Sequence, residues 1–377
     1  MKWSPDTLFA RVGTEPDDQT RALSPSIQMA STFARPSDGH PSGEFVYSRL
    51  GNPTREKLET ALAEMEGGEI AFAFSSGMAA ANALLQTLSP GDTVLMPHDI
   101  YFGIRQLATH HFGKWGLVVD TIDMSDLEAV KAALSTPTTL VWLETPSNPQ
   151  LNITDLSEVI SLSKKAGART VVDSTWCTPL ITKPLDMGAD VVLHSVTKYF
   201  GGHSDLLGGA LICRSADDWS EQIHAVQKTA GAVLDPFSCW LTMRGLRSLP
   251  VRLQRQCESA MQVAQFLSTH PNVEGVHYPG LPTDPGFEVA RKQMTWFGGM
   301  LSFRVKASER DAIQFASNLH LFAHATSLGG TESLIEHRAS IEGPDSLTPR
   351  NLLRVSVGLE SAEDLIEDLR QGLNRLV

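Results

Sequence analysis

One lysine stands directly after a strongly apolar run, among hydroxyl-bearing residues and glycines. The stretch ADVVLHSVTKYFGGHSDLLGG occupies residues 189–209, and its apolar part is followed at once by Ser195, Thr197 and Lys198. A lysine amine held at the end of a buried strand can form a Schiff base with an aldehyde. Neighbouring hydroxyl groups can donate hydrogen bonds to an anion such as phosphate. The stretch therefore indicates covalent chemistry at Lys198, beside a site for an anion.

Further polar residues follow other apolar runs of the chain. Asp173 ends TVVD, Ser75-Ser76-Gly77 follow AFAF and open a helix, Asn148 follows LVWLETPS, and Tyr101 follows VLMPHDI. Open α/β sheets bind ligands at the carboxyl ends of their strands, and a helix N-terminus favours phosphate. A carboxylate at such an edge would keep a pyridine nitrogen protonated. An aldehyde, a phosphate and a protonated pyridine together describe pyridoxal 5′-phosphate (PLP).

Each of these residues also has an ordinary structural interpretation. A lysine after a strand is commonly solvated, an aspartate there commonly caps a helix or turn, and Ser-Ser-Gly is a common N-cap. Tyr101 is also compatible with a half-buried aromatic side chain. Arg354, in contrast, lies in the apolar segment LLRVSV, where an unpaired charge is costly. The order of these residues within one pattern, rather than any one of them, indicates the cofactor.

The histidines do not suggest a metal centre. His194, His203 and the pair His110-His111 have no carboxylate or cysteine at zinc-like spacing. We therefore predict no metal, and we expect His203 to brace the lysine loop by hydrogen bonds.

Alternating elements must position the candidate residues. Short runs rich in Val, Leu and Ile alternate with helical segments such as DLEAVKAAL and DLSEVISLSKKAG. This alternation predicts an α/β domain over residues 46–235, with a mostly parallel sheet and helices on both faces. After Leu234-Asp235-Pro236, a long amphipathic helix, two strands and a terminal helix predict a smaller α+β domain over residues 236–377.

The first 45 residues look irregular and contain Pro5, Pro16, Pro25, Pro36 and Pro41. We expect them to form an arm that lies on a neighbouring subunit.

Composition excludes several classes of protein. The chain has 377 residues, 42% of them hydrophobic, which suits a large core and two domains. Its net charge of −12 argues against non-specific nucleic-acid binding. The sequence has no long uninterrupted apolar run, no signal-peptide pattern and no Cys-x-x-Cys pair among its 4 cysteines. We therefore expect no membrane association and a cytoplasmic protein with reduced thiols.

With these motifs in order, the chain resembles the Cys/Met-metabolism family of PLP enzymes, the trans-sulfuration group. DVVLHSVTKYFGGHSDLLGG resembles the family's lysine signature, and the resemblance covers nearly the whole chain. The other matching motifs are YSRLGNPT (47–54), SSGMAA (75–80), LETPSNP (143–149), SLGGTESL (327–334) and LLRVSVGLE (352–360). The resemblance implies the PLP-dependent transferase fold (fold type I), with a seven-stranded, mostly parallel sheet and a smaller C-terminal α+β domain.

The resemblance also implies roles for individual residues. Lys198 would be the Schiff-base lysine and proton shuttle, and Tyr101 would stack on the cofactor ring and assist acid–base steps. The implied cofactor contacts are Gly77, Met78, Asp173, Thr175, Ser195, Thr197 and Asn148 from one subunit, with Tyr47 and Arg49 from its neighbour. The implied substrate contacts are Arg354, which would grip the α-carboxylate, with Ser327, Glu332 and Arg105. Because active sites would be shared, we expect a homo-oligomer, a tetramer built from dimers.

The implied activity is γ-elimination or γ-replacement on a γ-substituted homoserine-type amino acid, as in cystathionine γ-synthase and γ-lyase. Glu332 would contact the distal ammonium of such a substrate, or act indirectly. Two segments depart from the family: FGIRQ offsets Arg105 by one position, and Arg338–Gly343 reads RASIEG where Pro-Ala-Ser/Thr-Met-Thr-His is frequent.

The charges of the second segment raise the hypothesis of a γ-lyase for a guanidino-bearing substrate such as canavanine. A β-lyase or methionine γ-lyase remains a further alternative. A non-catalytic PLP-binding protein and a cofactor-free Schiff-base aldolase are more remote ones.

Overall fold

A computed structural model describes residues 3–17, 20–35, 45–343 and 346–376. Two β-sheets organise the described chain. The strands of the first sheet are β1 (Ile70–Phe74), β2 (Thr93–Pro97), β3 (Val118–Ile122), β4 (Leu140–Glu144), β5 (Arg169–Asp173), β6 (Val191–His194) and β7 (Gly209–Cys213).

The first sheet has the strand order β1-β7-β6-β5-β4-β2-β3. β7 runs in the opposite direction to the other six strands of this sheet, and it pairs antiparallel with β1 and β6. The predicted seven-stranded, mostly parallel sheet is therefore confirmed. Our sequence interpretation assigned no strand to GALIC, which forms β7, because this run directly follows the glycines of the lysine loop.

The carboxyl ends of β1, β2, β4, β5 and β6 lie at one edge of this sheet. In the register of β4 with β5, Glu144 pairs with Asp173, and Asp173 pairs in turn with Leu193 of β6. The parallel arrangement thus brings the residues that follow each strand towards one another, although they are distant in sequence.

Helices pack on both faces of the first sheet. They are α2 (Pro53–Glu66), α3 (Gly77–Leu85), α4 (Phe102–Gln106), α5 (Leu127–Ala133), α6 (Leu156–Lys165), α7 (Thr178–Ile181) and α8 (Asp218–Ala230). Gly67 ends α2 in the left-handed region, with φ of 81°, as the sequence predicted. The helix predicted over GIRQLATHHF is less regular: after α4 the chain forms a π-helical turn over Leu107–His111 and a 3₁₀ turn over Phe112–Trp115.

The second sheet is smaller and mostly antiparallel. Its strands are β8 (Val273–His277), β9 (Met300–Val305), β10 (Ala323–His324), β11 (Leu334–His337) and β12 (Leu352–Ser356), in the order β10-β11-β12-β9-β8. The helices of this region are α9 (Pro236–Leu246), α10 (Leu249–Thr269), α11 (Phe287–Gln293), α12 (Glu309–Ser317), α13 (Arg338–Glu342) and α14 (Ala362–Leu373). The predicted long helix, its two following strands and the terminal helix correspond to α10, β9, β12 and α14.

The N-terminal arm is more ordered than the sequence suggested. Its first residues form helix α1 (Pro5–Ala10), so the prediction of an irregular segment is wrong there. Proline is well tolerated in the first turn of a helix, and Phe9 supplies a buried anchor on the chain itself. Arg247 and Trp240 also donate hydrogen bonds to arm carbonyls, at 2.9 and 3.1 Å. Pro36 and Pro41 lie outside the described residues.

All four cysteines are buried and carry free thiols. Among the described helices, none has the length and apolar character needed to cross a membrane.

Candidate active site

A cavity of about 480 Å³ opens at the carboxyl ends of the parallel strands. This volume lies in the range of sites for small ligands and cofactors. The predicted residues that line it are Gly77, Met78, Tyr101, Asn148, Asp173, Thr175, Ser195, Thr197, Lys198, Ser327 and Arg354. The structure thus brings together residues that the sequence places on the first sheet and residues that belong to the second sheet and its loops.

The start of α3 forms one wall of the cavity. Ser76 caps the helix by accepting a hydrogen bond of 3.0 Å from the backbone N–H of Ala79. A Cβ atom on Gly77 would lie 3.0 Å from the Cβ atom of Ser195, and one on Gly209 would lie 2.2 Å from the Ser76 carbonyl oxygen. These glycines let the helix N-terminus approach Ser195 closely, which suits a phosphate held between backbone N–H groups and a hydroxyl.

Lys198 extends from the end of β6 towards the second sheet. Its Nζ atom donates a hydrogen bond of 2.8 Å to the Ser327 hydroxyl. Burial, together with the positive charge of Arg354, lowers the pKa of Lys198 to about 8. The lowered pKa increases the fraction of neutral amine, and that is the form that attacks an aldehyde.

Asp173 is held by residues that follow it in sequence. The backbone N–H and the hydroxyl of Thr175 both donate to its Oδ1 atom, at 3.0 and 2.6 Å. The Thr175 hydroxyl accepts in turn from the Ser195 N–H at 2.8 Å. Burial raises the pKa of Asp173, and the two bonds from Thr175 oppose this effect. A cationic ring nitrogen beside the carboxylate would favour its charged form further.

Glu144 is a cavity residue that our sequence interpretation missed. It ends β4, is buried, and accepts a hydrogen bond of 2.8 Å from the backbone N–H of Tyr101. Burial, followed by the negative charge of Asp173, raises the pKa of Glu144 well above its ordinary value. The sequence did contain the pattern that indicates Glu144, because the apolar run LVWLE ends in a carboxylate just as TVVD ends in Asp173.

Arg354 lies in the middle of β12 with its guanidinium in the cavity. It donates to the Asn148 side-chain oxygen at 2.9 Å and to the Ser327 carbonyl at 3.1 Å, and it forms an ion pair with Glu336. Burial lowers the pKa of Arg354, and Glu336 opposes this effect. A planar guanidinium held in this way is suited to two-pronged binding of a carboxylate.

Arg338 places a second guanidinium at the cavity. It begins α13, in the segment that departs from the family pattern, and it is buried. Its Nε atom donates to Glu342 at 3.0 Å, and it also forms an ion pair of 3.3 Å with Glu336. Its guanidinium carbon lies 5.7 Å from the centroid of the Tyr101 ring.

Four predicted site residues do not line the cavity of their own chain. Glu332 accepts hydrogen bonds from Ser204 and Thr331. Arg105 donates to the His98 carbonyl at 3.3 Å, while its guanidinium lies over the ring of Phe102. The other two residues are Tyr47 and Arg49, which are exposed and lie outside the cavity.

The histidines of the lysine stretch have structural partners. His203 forms a hydrogen bond of 2.9 Å with the Gly201 carbonyl, as expected for a residue that braces the loop. His194 is buried and forms a hydrogen bond of 2.5 Å with Glu66, a partner that the sequence did not suggest.

The donor groups of the cavity fit PLP. A partly desolvated lysine, a partly buried carboxylate and a glycine-lined helix start beside a serine match the three functional groups of this cofactor. Fold and site together therefore define an α/β enzyme that binds PLP at the carboxyl edge of its sheet.

Comparison with known proteins identifies the family. Residues 6–374 match the family described as Cys/Met metabolism PLP-dependent enzyme, and the chain belongs to it. Cystathionine γ-synthase of Mycobacterium tuberculosis is 46% identical over 375 residues, covering 98% of this chain and 96% of that protein. Cystathionine γ-lyase of Bacillus subtilis is 41% identical over 379 residues, covering 98% of this chain and 99% of that protein.

Solved structures agree with this assignment. Cystathionine γ-synthase from Xanthomonas oryzae pv. oryzae, in complex with aminoacrylate and cysteine, has a TM-score of 0.96 and 42% identity. The match covers 100% of this chain and 99% of that one. The predicted family, fold class and PLP dependence are confirmed.

Proposed function

We propose that the protein catalyses γ-replacement or γ-elimination on a γ-substituted homoserine-type amino acid, within sulfur amino acid metabolism. Relatives named cystathionine γ-synthase and cystathionine γ-lyase cover nearly the whole chain. A solved cystathionine γ-synthase with a TM-score of 0.96 holds cystathionine itself. Because the two synthases named above share 46% and 42% identity with this chain and the γ-lyase shares 41%, we propose γ-replacement by a thiol as the principal reaction.

One observation carries this proposal: Ser327 contacts both Lys198 and Arg354. Its hydroxyl accepts from the lysine at 2.8 Å, and its carbonyl accepts from the arginine at 3.1 Å. Ser327 also has φ of 91°, which is uncommon for a residue other than glycine and typical of a functionally constrained position. An amino acid anchored by its carboxylate at Arg354 would therefore present its Cα–H bond to Lys198.

In the proposed reaction, the cofactor and the residues of the cavity would have separate roles. PLP, when bound, supplies the electron sink that makes the Cα proton acidic. Lys198 would hold the cofactor, accept the Cα proton at Nζ and return protons along the substrate. Asp173 would keep the ring nitrogen protonated, and Arg354 would fix the orientation of the substrate. The start of α3, with Ser195 and Thr197, would hold the phosphate.

Product analysis of the holoenzyme tests this function. An acylhomoserine with cysteine, cystathionine alone, methionine and canavanine would each be incubated with the enzyme, and products identified by mass spectrometry. We expect cystathionine from the first mixture, with Lys198→Ala protein as the blank. A 2-oxo acid and ammonia from cystathionine would indicate γ- or β-elimination instead. Methionine or canavanine as the preferred substrate, or protein that acquires no visible band with PLP, would overturn the proposal.

The contacts of the segment RASIEG do not favour a guanidino-bearing substrate. Of its described residues, Glu342 is the carboxylate, and it already accepts hydrogen bonds from Arg338, Ser346 and Thr348. The guanidinium of Arg338 at the cavity would also repel a second guanidinium. We therefore propose a γ-substituent without a guanidino group, such as the thioether of cystathionine or the ester of an acylhomoserine.

Replacing Arg354 by glutamine should lower kcat/KM about 100-fold, mainly through KM, because a charge-assisted fork to the carboxylate is lost. The measurement is steady-state kinetics on the proposed substrate and on its α-carboxamide.

The matched control is the double variant Arg354→Gln/Glu336→Gln, because the single variant leaves buried Glu336 with only its 3.3 Å ion pair to Arg338, and removing one partner of a buried ion pair is destabilising. The variants should differ little from the wild type on the carboxamide. An equal loss on both substrates would exclude carboxylate binding by Arg354.

We infer that the protein forms a homo-oligomer, a tetramer built from dimers that share active sites. Tyr47 and Arg49 support this inference, since both are exposed and lie outside their own cavity. Exposed Leu23 and Met29 of the arm add apolar surface for a neighbour.

We further propose that the chain consists of an arm (1–45), a PLP-binding domain (46–235) and a C-terminal domain (236–377). We also propose that the protein is cytoplasmic, because its buried free thiols suit a reducing compartment.

A further inference from the structure

One face of helix α10 carries two buried polar side chains next to the segments that build the cavity. Arg252 and Gln256 are four residues apart, so they are neighbours on the same face of the helix. Arg252 is 5% exposed, and Gln256 is fully buried. Neither side chain lines the cavity, yet each donates a hydrogen bond to a backbone carbonyl close in sequence to a residue that does.

Arg252 holds the turn that carries Lys198. Its Nη2 atom donates to the Tyr199 carbonyl at 3.0 Å and to the Gly245 carbonyl at 2.8 Å. A Cβ atom on Gly202 would lie 2.2 Å from the Nη1 atom of Arg252, so glycine is required for this approach. Within the turn, the Gly202 N–H donates to the Lys198 carbonyl at 2.8 Å. The backbone of Lys198 is therefore fixed from the side of α10.

Gln256 holds the loop that carries Ser327. Its Nε2 atom donates to the Gly330 carbonyl at 2.7 Å. The ring of Tyr199 packs against the same loop, since a Cβ atom on Gly329 would lie 2.9 Å from the Cγ atom of that ring. The turn with the lysine and the loop with the serine therefore meet at Tyr199, and α10 binds both.

Stability alone does not explain these two polar side chains. In the described part of the chain, no carboxylate forms an ion pair with Arg252, and burial lowers the pKa of its guanidinium to about 10. The Nη1 atom of Arg252 and the Oε1 atom of Gln256 are buried without hydrogen-bond partners. Apolar side chains of similar size would avoid both penalties. Such departures from good packing are expected at positions that serve function.

We propose that Arg252 and Gln256 are positioning residues, which together hold the Lys198 amine against the Ser327 hydroxyl. Arg252 fixes the backbone on the lysine side of this 2.8 Å hydrogen bond, and Gln256 fixes the backbone on the serine side. The inference rests on the proposed function, in which Lys198 accepts the Cα proton. It adds two residues outside the cavity to the groups on which that step depends.

The charges that face Lys198 come from elements other than α10. Arg354 on β12, Glu336 on β11 and Arg338 on α13 act on its pKa. The same cavity is lined by Glu144, Asp173 and Tyr101. All of these groups stay in place when Gln256 is replaced, so a change in the titration of Lys198 would then report a change in its position.

The titration of Lys198 can be measured without turnover. Full-length protein freed of PLP would be acetylated in trace amounts across the pH range, and the Lys198 peptide quantified by mass spectrometry. The wild-type midpoint should lie near the pKa of about 8 that burial and Arg354 give this lysine. Because the measurement needs no substrate, its result stands even if the holoenzyme produces no cystathionine, an outcome that would count against the proposed function alone.

Arg252→Met and Gln256→Met should each raise the Lys198 midpoint by about one pH unit, because a loosened contact admits water to the amine. Each should also lower kcat of the holoenzyme about 10-fold, since the base is misplaced relative to the Cα proton. Gln256→Met changes no charge, so its shift reports position alone. The double variant should lose little more than either single variant, because both substitutions act on one contact.

Two control variants separate this role from general stability. Arg255→Met removes an exposed charge from the same helix. Asp368→Asn weakens a buried carboxylate on α14 that accepts from the backbone N–H groups of His320 and Leu321. Both variants should keep the wild-type Lys198 midpoint and kcat, even if Asp368→Asn unfolds at a lower temperature.

Gly202→Ala tests the same contact from the other side and remains available if Arg252→Met does not fold. Its Cβ atom would displace the Arg252 guanidinium, so the Lys198 midpoint should rise here too. The inference is overturned if the variants on α10 lose thermal stability while the Lys198 midpoint and kcat stay at wild-type values. Additive losses of kcat in the double variant would also overturn it.

Discussion

Lys198→Ala protein will lose at least about 10³-fold in kcat/KM, because it lacks both the amine that holds the cofactor and the base that moves the substrate protons. The position of the amine explains the size of this effect. Lys198 leaves the end of β6, is largely withdrawn from solvent, and is directed by its 2.8 Å hydrogen bond to Ser327. Among the described residues, no other lysine lines the cavity and could replace it.

The measurement combines kinetics with a covalent marker. Wild-type holoenzyme treated with borohydride should carry the cofactor on Lys198 in peptide mass spectrometry, whereas the variant should carry none. Lys165→Ala is the matched control, because Lys165 is exposed at the end of α6, and it should behave as the wild type. A variant that retains wild-type turnover, or borohydride labelling at another lysine, would contradict the assignment of Lys198.

Asp173→Asn should lower kcat/KM by about 10³-fold while leaving the cofactor bound. Asparagine preserves the size of the side chain, and its carbonyl oxygen can still accept the two hydrogen bonds that Thr175 donates. It cannot supply the negative charge that keeps a ring nitrogen protonated, so the electron sink is weakened. Bound cofactor would be measured after denaturation, in parallel with steady-state kinetics and the visible absorption spectrum.

The control for this variant is Asp99→Asn. Asp99 is also a buried carboxylate near a strand end, and it accepts from Ser147 and from Asn152. Because Asp99 does not line the cavity, its loss should change stability more than kcat/KM. Equal kinetic losses in both variants would mean that Asp173 acts through packing and not through charge.

The sequence predicted the first sheet and its binding edge well, for a physical reason. Strands buried on both faces are continuous apolar runs, so β4, β5 and β6 are visible as LVWLE, TVVD and VVLH. A polar or charged residue that ends such a run must lie at the carboxyl edge of the sheet. Asp173, Ser195 and Lys198 were found in this way, and Glu144 was missed only because the same rule was not applied to β4.

Apolar runs and the polar residues that end them do not predict contacts between segments that are distant in sequence. The hydrogen bond of Lys198 to Ser327 joins residues 129 positions apart, and that of Arg354 to Asn148 joins residues 206 apart. The segment RASIEG was recognised as unusual, but its sequence did not show that Arg338 would lie over Tyr101 between two carboxylates. The helical start of the arm was also missed, because its anchor Phe9 is buried against a surface that forms only on folding.

By itself, the sequence determined the family and the cofactor of this protein and predicted Lys198 as its covalent residue, because these depend on local order: a buried strand, the residue that follows it, and a glycine-lined helix start. Only the tertiary structure decided which groups surround the substrate. Packing of the second sheet beside the first brings Ser327, Arg338 and Arg354 to the edge that carries Lys198. Ion pairs with Glu336 and Glu342 hold the guanidinium of Arg338 near the ring of Tyr101. An ion pair with the same Glu336 holds the guanidinium of Arg354 at the cavity.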